Sequence, residues 1–560
     1  MKEEEKQRLF YSLVLAAFGI VLAVRELYGF CWSDESFYLT FAQRLWQGQQ
    51  LILDEWHPVQ FYSALFYPIL SLYHAFFGTE GIYLFARCVY TAAALACSLL
   101  LFLTLCRRWG ALWSFLGALL VLSYSRGNIW GLSYYNLFVL FCVAAFCLLL
   151  RGWEHPGRYR RLLYALSGVS LAAAVLCVPY FAPFVLAGLL AAFCFKPGRE
   201  GAAWCLGGIC LTAAWFLLCF LPKDVPALLS SLSQILTDPE HTGGPLANLW
   251  VAILDVKLRY HYEIKLAIVS AFVLLLGIRF LPRAWGSIPG LLLALAGAAV
   301  SFWRYYNAET GYTVYTLVIF CLPGLLLCWV RRKINIPALL LRLLGMAMGL
   351  SMALSSNTES RAFTVGLVIY AIGALLQLAS LHQSEKPIKY TVLLLTCTAL
   401  CLSYYSRIDY VFRDGPLDTL TATMERGPAK GLRTTPEHNQ QYEEILDMLE
   451  DLDNRYEERN TIFFTKLLPW GYLACDFPCG APTAWRTALD SPRLESYYSL
   501  HPDSIPSIVV VLRPEIGNYP GSPTPNENAL SGWLWEQIQL RGYDHLEYNC
   551  ADVYVSPNAS

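Results

Sequence analysis

The sequence predicts a polytopic α-helical membrane protein that carries a small α/β domain at its C-terminal end. Hydrophobic residues make up 56% of the chain and charged residues only 15%, below the roughly one quarter that soluble domains carry. Apolar runs of membrane-spanning length recur up to residue 406, and basic residues gather in alternate connections between them. Beyond residue 406 the chain becomes polar, which indicates a soluble domain.

Thirteen apolar runs are candidates for membrane-spanning helices, which need about 20 residues each. Two of the runs are short, so the predicted number of spans is about 11 to 13. The charged head before the first run is balanced in sign, and no small-residue cleavage site follows it. This favours a retained anchor over a signal peptide. The runs are 9–28, 80–105, 110–125, 134–150, 162–178, 182–195, 203–221, 263–281, 287–303, 312–330, 338–355, 361–380 and 390–406.

The distribution of lysine and arginine predicts the orientation of the chain, because short cytoplasmic loops collect basic residues. Every second connection is basic, whereas the connections between them are aromatic and mixed in charge. The N-terminus is therefore predicted to lie in the cytoplasm, and an odd number of spans places the C-terminal domain outside. The basic connections are 106–110, 151–161, 196–200, 279–286, 331–333 and 382–389.

These patterns divide the chain into a transmembrane module, residues 1–406, and an extracytoplasmic α/β domain, residues 407–560. Within the second part, apolar residues at helical spacing predict two helices, and short apolar runs predict strands. The alternation of helices and strands favours a small α/β layer. The predicted helices are 436–456 and 528–540, and the predicted strands are 461–465, 507–513 and 550–556.

Most of the 18 cysteines lie inside apolar runs, where a thiol acts as a small hydrophobic side chain. Cys475 and Cys479 lie in a polar segment and could form a disulfide in an oxidising compartment, with two free thiols as the equal alternative. The net charge of −1 gives no reason to expect a nucleic-acid partner.

The first outer loop, residues 29–79, is the long polar interruption in the first half of the chain. It contains two acidic pairs, Asp34-Glu35 and Asp54-Glu55. The stretch SDESFYLTFAQRLWQG predicts an amphipathic helix at the membrane interface, with a serine N-cap and a terminating glycine. The stretch VQFYSALFYPILSLYHAFFG is aromatic and interrupted by proline, so it is expected to rest partly in the headgroups. Together the two segments would form a shelf on the outer surface.

An acidic pair at the end of the first membrane helix is costly unless it is solvated or used. In the functional interpretation, one carboxylate is a general base that takes the proton of an attacking hydroxyl. In the structural interpretation, Asp34 caps the helix and Glu35 faces water. The spacing of these residues leaves both interpretations open.

The order of motifs around this loop resembles that of a known family. A first membrane helix is followed by WSDESFY, a short helix ending in glycine, DEWHPVQFY, and a hydrophobic stretch ending in FFG before AR. This order resembles the GT-C fold membrane glycosyltransferases, in particular the bacterial aminoarabinose transferase and the protein O-mannosyltransferases. The resemblance implies a multi-pass enzyme of the bacterial plasma membrane. It would move a sugar, with inversion, from a polyprenyl-phosphate donor to an extracytoplasmic glycan, lipid or protein of the cell envelope.

Carried over residue by residue, the resemblance makes Asp34 the catalytic acid and Glu35 its neighbour. Glu55 and His57 correspond to positions near the donor phosphate and a bound metal of the aminoarabinose transferase. This sequence has Trp-His-Pro where that enzyme has Lys-Pro-Pro, so the lysine contact is missing. Arg87 occupies the Ala-Arg position, and together with His57 it is expected to bind the donor phosphate.

Four further residues at predicted outer ends of spans belong to the candidate site. Tyr135 and Asn136 are expected to contact the sugar or the acceptor. Many members of the family have aspartate at the position of Asn136, so a mechanism that needs a second carboxylate there is in doubt. Arg304 and Arg361 are candidates for phosphate binding, because outer cations could receive a lipid phosphate.

A divalent metal ion is a candidate cofactor, although the spacing of its ligands is not diagnostic. A transporter or flippase is the first alternative function, but the inverted repeats and broken helices expected of it are not evident in the sequence. A noncatalytic relative that binds a lipid-linked sugar is the second alternative, which the missing aspartate favours. The candidate metal ligands are Glu55, His57 and His241.

Overall fold

The fold is that of a computed structural model, which describes residues 3–154, 157, 159–235, 244–282, 285–306, 310–381, 386–485, 491–518 and 532–559. Helices dominate the chain as far as Asp409. They are α1 (Glu3–Arg25), α2 (Asp34–Trp46), α3 (Ser63–Phe77), α4 (Ile82–Trp109), α5 (Ala111–Ser123), α6 (Tyr134–Glu154), α7 (Arg160–Cys177), α8 (Ala182–Cys194), α9 (Arg199–Phe220), α10 (Val225–Ile235), α11 (Gly244–Arg259), α12 (His261–Phe280), α13 (Ile288–Arg304), α14 (Thr310–Val330), α15 (Ile336–Ser355), α16 (Thr364–Ala379) and α17 (Lys386–Asp409).

Within the described ranges, 9 helices are long and apolar enough to cross a membrane, namely α1, α4, α6, α7, α9, α14, α15, α16 extended by the helical turn before it to Glu359–Ala379, and α17. This confirms a polytopic helical membrane protein. Each predicted apolar run lies on a helix, but the spans are fewer than the predicted 11 to 13. The other four runs lie on α5 and α8, with 13 residues each, on α13, with 17, and on the charged helix α12. The first three fall short of the roughly 20 residues that a span needs.

The long outer connection after α9 also contains structure that the sequence did not predict. It holds the helices α10 and α11 between α9 and α12. Large apolar side chains of the neighbouring helices point outward, such as Leu218, which is 80% exposed, and Phe272, which is 61% exposed. A lipid environment accounts for such exposed apolar surfaces.

The C-terminal part is built from β1 (Ala422–Thr423), β2 (Arg433–Thr434), α18 (Pro436–Arg455), β3 (Ile462–Phe464), α19 (Ser491–Leu500), β4 (Ile508–Leu512), α20 (Gly532–Arg541), β5 (Asp544–Glu547) and β6 (Ala551–Val555). Its main sheet has the order β3-β4-β6-β5. Strands β3 and β4 are parallel, whereas β6 pairs antiparallel with both β4 and β5. The predicted α/β character of this part is confirmed.

Most predicted elements of this part are found within a few residues of their expected bounds. The helix α18 and the strands β3, β4 and β6 all match a prediction, and α20 overlaps the predicted helix 528–540, of which residues 528–531 lie outside the described residues. The edge strand β5 was missed, because its sequence DHLE is largely exposed and lacks apolar alternation. Cys475 and Cys479 are both buried free thiols, so they form no disulfide.

The prediction of an interfacial helix for α2 is wrong, because the structure buries this helix on all sides. Every residue from Glu35 to Arg44 is buried. The hydroxyl of Thr40 donates to the carbonyl of Pro469, at 3.2 Å, so the C-terminal part covers the face that was expected to meet water or headgroups. The polar residues of α2 contact protein groups, which is why its pattern resembles that of a surface helix.

A buried carboxylate joins the C-terminal part to the loop after α1. Asp414 accepts hydrogen bonds from the backbone N–H of Phe30 at 2.7 Å and from the hydroxyl of Thr434 at 2.8 Å. Its other oxygen lies 2.6 Å from Nδ1 of His438 on α18. The segment that follows the last membrane helix is therefore fixed against the beginning of the first outer loop.

Candidate active site in the first outer loop

The two acids at the start of α2 have different surroundings. The side chain of Asp34 is 17% exposed and that of Glu35 only 3%. Both oxygens of Glu35 accept hydrogen bonds from Arg87, each at 2.6 Å. Burial raises the pKa of the Glu35 carboxyl, against the opposing charge of Arg87. Glu35 is thus part of a buried ion pair, and Asp34 is the accessible acid of the two.

Arg87 is an internal anchor, which contradicts its predicted role as a phosphate ligand. Its guanidinium donates to Glu35 and also to the backbone carbonyls of Glu26 and Gly29, the latter at 2.8 Å. The residue is 2% exposed. Because these contacts occupy both ends of the guanidinium, Arg87 holds the loop after α1 against α4, and its nitrogens already donate to protein groups.

Asp34 is held by a residue from the far side of the sequence. Its Oδ2 accepts a hydrogen bond from Nη1 of Arg413 at 2.5 Å and another from the hydroxyl of Ser33 at 3.0 Å. Ser33 is the N-cap residue of α2, as predicted, but its hydroxyl contacts Asp34 and makes no capping hydrogen bond. Arg413 has a left-handed φ of 55°, a strained conformation that clusters at functional sites.

A second arginine, Arg126, belongs to the tyrosine cluster that packs against α2. Arg126 belongs to the turn between α5 and α6, and its guanidinium lies 3.8 Å from the ring centre of Tyr135. The phenol of Tyr38, on α2, is within electrostatic range of both Asp34 and Arg126. Burial raises the pKa of Tyr38 well above its ordinary value, so its hydroxyl keeps the proton and can donate a hydrogen bond.

Aromatic rings form a cluster around Tyr38 and Tyr135. The ring centres of Tyr38 and Tyr134 are 6.0 Å apart, and those of Tyr134 and Tyr135 are 3.8 Å apart. Tyr62 of the same loop lies 5.8 Å from Tyr134. Tyr135, predicted as a sugar contact, is thus brought to the neighbourhood of Asp34, and apolar ring faces beside polar hydroxyls are typical of sugar-binding surfaces.

Asn136 has a structural role that differs from its predicted one. The residue is 2% exposed, and its amide nitrogen donates to the carbonyls of Ile129 at 3.1 Å and Gly131 at 3.0 Å. It therefore holds the turn that carries Arg126. Only Oδ1 of Asn136 lacks a hydrogen-bond partner among the described residues, so a sugar contact could use that atom alone.

Glu55 and His57 belong to a second internal anchor. Oε2 of Glu55 pairs with Nη1 of Arg44 at 2.7 Å, and Oε1 accepts from the backbone N–H of His57 at 2.9 Å. Burial raises the pKa of Glu55, opposed by the charge of Arg44. The His57 ring packs 4.8 Å from Phe37, and its Nδ1 accepts from the N–H of Val59. This packing contradicts the predicted phosphate contact of His57.

The predicted divalent metal ion finds no site in the described part of the chain. No group of 3 or more His, Cys, Asp or Glu side chains there could hold a metal ion. Glu55 does not fit the role of a ligand, because both of its oxygens are already hydrogen-bonded. His241, the third predicted ligand, lies outside the described residues.

The two remaining predicted phosphate ligands lie at the ends of other helices. Arg304, at the end of α13, is 52% exposed and faces Glu263 at 3.7 Å. Arg361 is exposed in the turn before α16. The structure brings neither residue into contact with Asp34 through any described hydrogen bond or ion pair, so their binding of phosphate stays a prediction.

Sequence reasoning missed Arg413, which pairs with Asp34, and Arg126, which packs on Tyr135. Both lie in connections predicted to be outside, where the positive-inside rule expects few basic residues. An arginine in a segment predicted to be outside departs from this rule, and that departure could have marked these two residues as candidates. The pairing itself was hidden, because Arg413 and Asp34 are 379 positions apart in the sequence.

No protein-family model and no curated protein matches the sequence. Among solved structures, the chain is similar to the Archaeoglobus fulgidus oligosaccharyltransferase in complex with Zn and sulfate, with a TM-score of 0.49 and 12% identity over 89% of this chain and 67% of that chain. It is also similar to AglB of the same organism, in complex with an inhibitory peptide and a dolichol-phosphate. In that comparison the TM-score is 0.48 and the identity 12%, and the match covers 91% of this chain and 70% of that chain.

The chain is also similar to ArnT from Cupriavidus metallidurans bound to undecaprenyl phosphate. The TM-score is 0.47 and the identity 11%, over 98% of this chain and 98% of that chain. The structures compared are thus those of an oligosaccharyltransferase and of ArnT.

Proposed function

We propose that the protein is an inverting glycosyltransferase that moves a sugar from a polyprenyl-phosphate donor to an acceptor outside the membrane, with Asp34 as general base. The observation that carries the proposal is the placement of Asp34. Its side chain is 17% exposed and pairs with Arg413, on a helix whose Tyr38 packs against a cluster of tyrosines, whereas its neighbour Glu35 is closed in an ion pair. An accessible carboxylate of this kind can reach an acceptor hydroxyl.

The reaction is a direct displacement at the anomeric carbon of the donor sugar. The acceptor oxygen forms a bond to that carbon while the bond from the carbon to the phosphate oxygen breaks. The electron pair of the broken bond leaves with the phosphate, and Asp34 takes the proton of the acceptor hydroxyl. The products are a glycosylated acceptor, with inverted configuration, and a polyprenyl phosphate.

The predicted topology supports a lipid-linked donor. Asp34 follows α1, so an N-terminus in the cytoplasm places this acid on the outer side of the membrane. Nucleotide sugars stay in the cytoplasm, which leaves a sugar carried by a polyprenyl lipid as the available donor class. The tyrosines beside Asp34 provide ring faces and hydroxyls for the sugar.

A second candidate function is a noncatalytic protein that binds a lipid-linked sugar. It is favoured by the ion pair between Arg413 and Asp34, which occupies one oxygen of the carboxylate. It is also favoured by Asn136, which stands where a second acid is common in the group that the loop resembles. In this case the protein would retain the donor without releasing its lipid.

The release of free undecaprenyl phosphate tests the proposal. Purified protein in liposomes is given hexoses linked to undecaprenyl phosphate, one at a time, with a cell-envelope extract as the source of acceptors. We expect release by the wild type and a loss of about 100-fold or more in Asp34→Asn, because a positioned general base contributes roughly 10²–10⁴-fold. Asp544→Asn, at an exposed acid of β5, is the control for loss of one outer negative charge.

Each outcome separates the two candidate functions. If Asp34→Asn turns over at the wild-type rate, Asp34 is not the general base. Tight binding of the linked sugar by the wild type, without release of lipid for any hexose offered, favours the noncatalytic protein.

A further inference from the structure

Arg126 sits on a turn that other parts of the fold hold in place. The hydroxyl of Ser125 donates to the carbonyl of Ile129 at 2.7 Å, which closes the turn. Asn128 has a left-handed φ of 57°, and its side chain donates to the carbonyl of Arg407 at 3.3 Å. The backbone of Arg126 is therefore fixed before any ligand arrives, as preorganised binding requires.

The guanidinium of Arg126 has no counter-charge in the described structure. No hydrogen bond or ion pair joins it to a described residue, and its Nη1 is buried without a partner. Its main contact is the face of Tyr135, at 3.8 Å from the ring centre. Burial raises the pKa of the Tyr38 phenol, so this neighbour keeps its proton and supplies no counter-charge.

This situation differs from that of the other buried arginines near α2. Arg87 is neutralised by Glu35, and Arg44 is neutralised by Glu55, each in an ion pair of 2.6 to 2.7 Å. A half-buried guanidinium that lacks such a partner is costly in the apo protein. An anion that enters from outside would remove that cost, and the planar fork of an arginine suits the oxygens of a phosphate.

We propose that Arg126 is the residue that binds the phosphate group of a polyprenyl phosphate. The identity of this ligand rests on the proposed function, while the preference for an anion rests on the unpaired guanidinium. Tyr38 of α2 and Tyr134 have ring centres 6.0 Å apart, and Tyr135 beside Tyr134 carries the Arg126 guanidinium, so Arg126 and the helix that begins at Asp34 meet at one aromatic cluster. The role that the sequence assigned to Arg87 thus passes to Arg126.

Binding of undecaprenyl phosphate to the full-length protein in detergent tests this proposal without any turnover. We expect Arg126→Gln to weaken binding by about 10- to 100-fold, the loss typical of hydrogen bonds to a charged group. Arg126→Lys should recover part of the affinity, because it restores the charge without the fork. Arg455→Gln, at an exposed arginine of α18, should bind like the wild type.

Two further probes identify what is bound. Undecaprenol, which lacks the phosphate, should bind equally to the wild type and to Arg126→Gln. Inorganic phosphate should bind the wild type far more weakly than undecaprenyl phosphate does. Equal affinity for inorganic phosphate would overturn the lipid assignment and leave a site for free phosphate.

Thermal unfolding of the ligand-free variants separates a binding role from a structural one. Removing an unpaired half-buried charge should leave the midpoint of Arg126→Gln unchanged or higher. A lower midpoint with unchanged affinity for undecaprenyl phosphate would show that Arg126 only packs on Tyr135, and would overturn the proposal.

The failure of this inference is distinguishable from that of the proposed function. Release of lipid by the wild type, with unchanged binding in Arg126→Gln, removes only the role of Arg126. Binding that depends on Arg126, without release by the wild type, removes the transferase and leaves a lipid-phosphate site.

Discussion

The ion pair between Glu35 and Arg87 fixes the start of α2 against α4, and its loss should affect stability first. Glu35→Gln leaves the Arg87 charge buried without a partner, which typically costs about 3–5 kcal/mol of unfolding free energy. Glu547→Gln, in an exposed pair with Arg513 at 3.1 Å, is the matched control and should cost roughly 0–1 kcal/mol. Thermal unfolding in detergent measures both. Wild-type stability together with lost transfer in Glu35→Gln would instead assign Glu35 to the chemistry.

With Asp34 as the proposed base, Arg413 would be a positioning residue, and its removal should lower turnover more than donor binding. Its guanidinium fixes one oxygen of Asp34 and also the hydroxyl of Ser33. We expect Arg413→Gln to lower kcat by about 10-fold or more with a small change in KM, and Arg413→Lys to recover part of it. Steady-state release of undecaprenyl phosphate gives both constants. An equal loss in the glutamine and lysine variants, with a lower unfolding midpoint, would indicate only a structural contact.

At the level of residues, the sequence singled out the acidic pair of the first outer loop but not what surrounds it. The pair Asp34-Glu35 was identified because it stands at the end of a membrane helix. The partners that separate its two members come from positions 52 and 379 residues away. One sequence contains no signal for such distant contacts, so the structural and functional roles of adjacent acids could not be assigned.

Helix α2 is enclosed between the membrane module and the C-terminal part, and chemical labelling can show this. A cysteine in place of Thr40 should resist a membrane-impermeant maleimide, because Thr40 is buried beneath Pro469. A cysteine in place of the exposed Gln50 should react, after subtraction of labelling in the parent protein. Fast labelling at position 40 would contradict this enclosure and would support the original prediction that α2 lies at the membrane interface.

Helices and strands were predicted correctly where the spacing or length of an apolar run indicates one type of secondary structure. All thirteen apolar runs lie on helices, and β4 was evident from the run IVVVL, which is buried along most of its length. The environment of α2 was misjudged, because Thr40 and Arg44 contact protein groups where their spacing suggested water. A polar stripe on a helix does not reveal whether its partner is solvent or another part of the chain.

The C-terminal part is locked to the membrane module through a histidine whose charge depends on pH. Burial alone would lower the pKa of His438, but the hydrogen bond and charge of Asp414 raise it above its ordinary value. The resulting stabilisation is present below about pH 6.5, the ordinary histidine value, and is lost as pH rises through the higher folded pKa. We expect the unfolding midpoint of the wild type to fall over this range more than that of His438→Gln. The same pH dependence of the unfolding midpoint in both proteins would contradict a stabilising role for the His438–Asp414 pair.

The basic connections predict the orientation of the whole molecule in the membrane, and alkaline phosphatase fusions can test it. Alkaline phosphatase joined after Ser560 should be active, since the rule for basic residues places the C-terminal part outside. The same enzyme fused within the basic connection after α6 should be inactive. The reverse pattern would place Asp34 on the cytoplasmic side, where nucleotide sugars are available, and would remove the reason for a lipid-linked donor.

The structure of the protein bound to undecaprenyl phosphate is the most direct test of the central claim, that the lipid donor meets its base between α2 and the turn before α6. We expect phosphate oxygens within about 4 Å of the Arg126 guanidinium, which is the distance of an ion pair. We also expect that the Asp34 carboxylate faces the space that the sugar would occupy. A phosphate bound at another surface, with Asp34 turned away from it, would contradict the account.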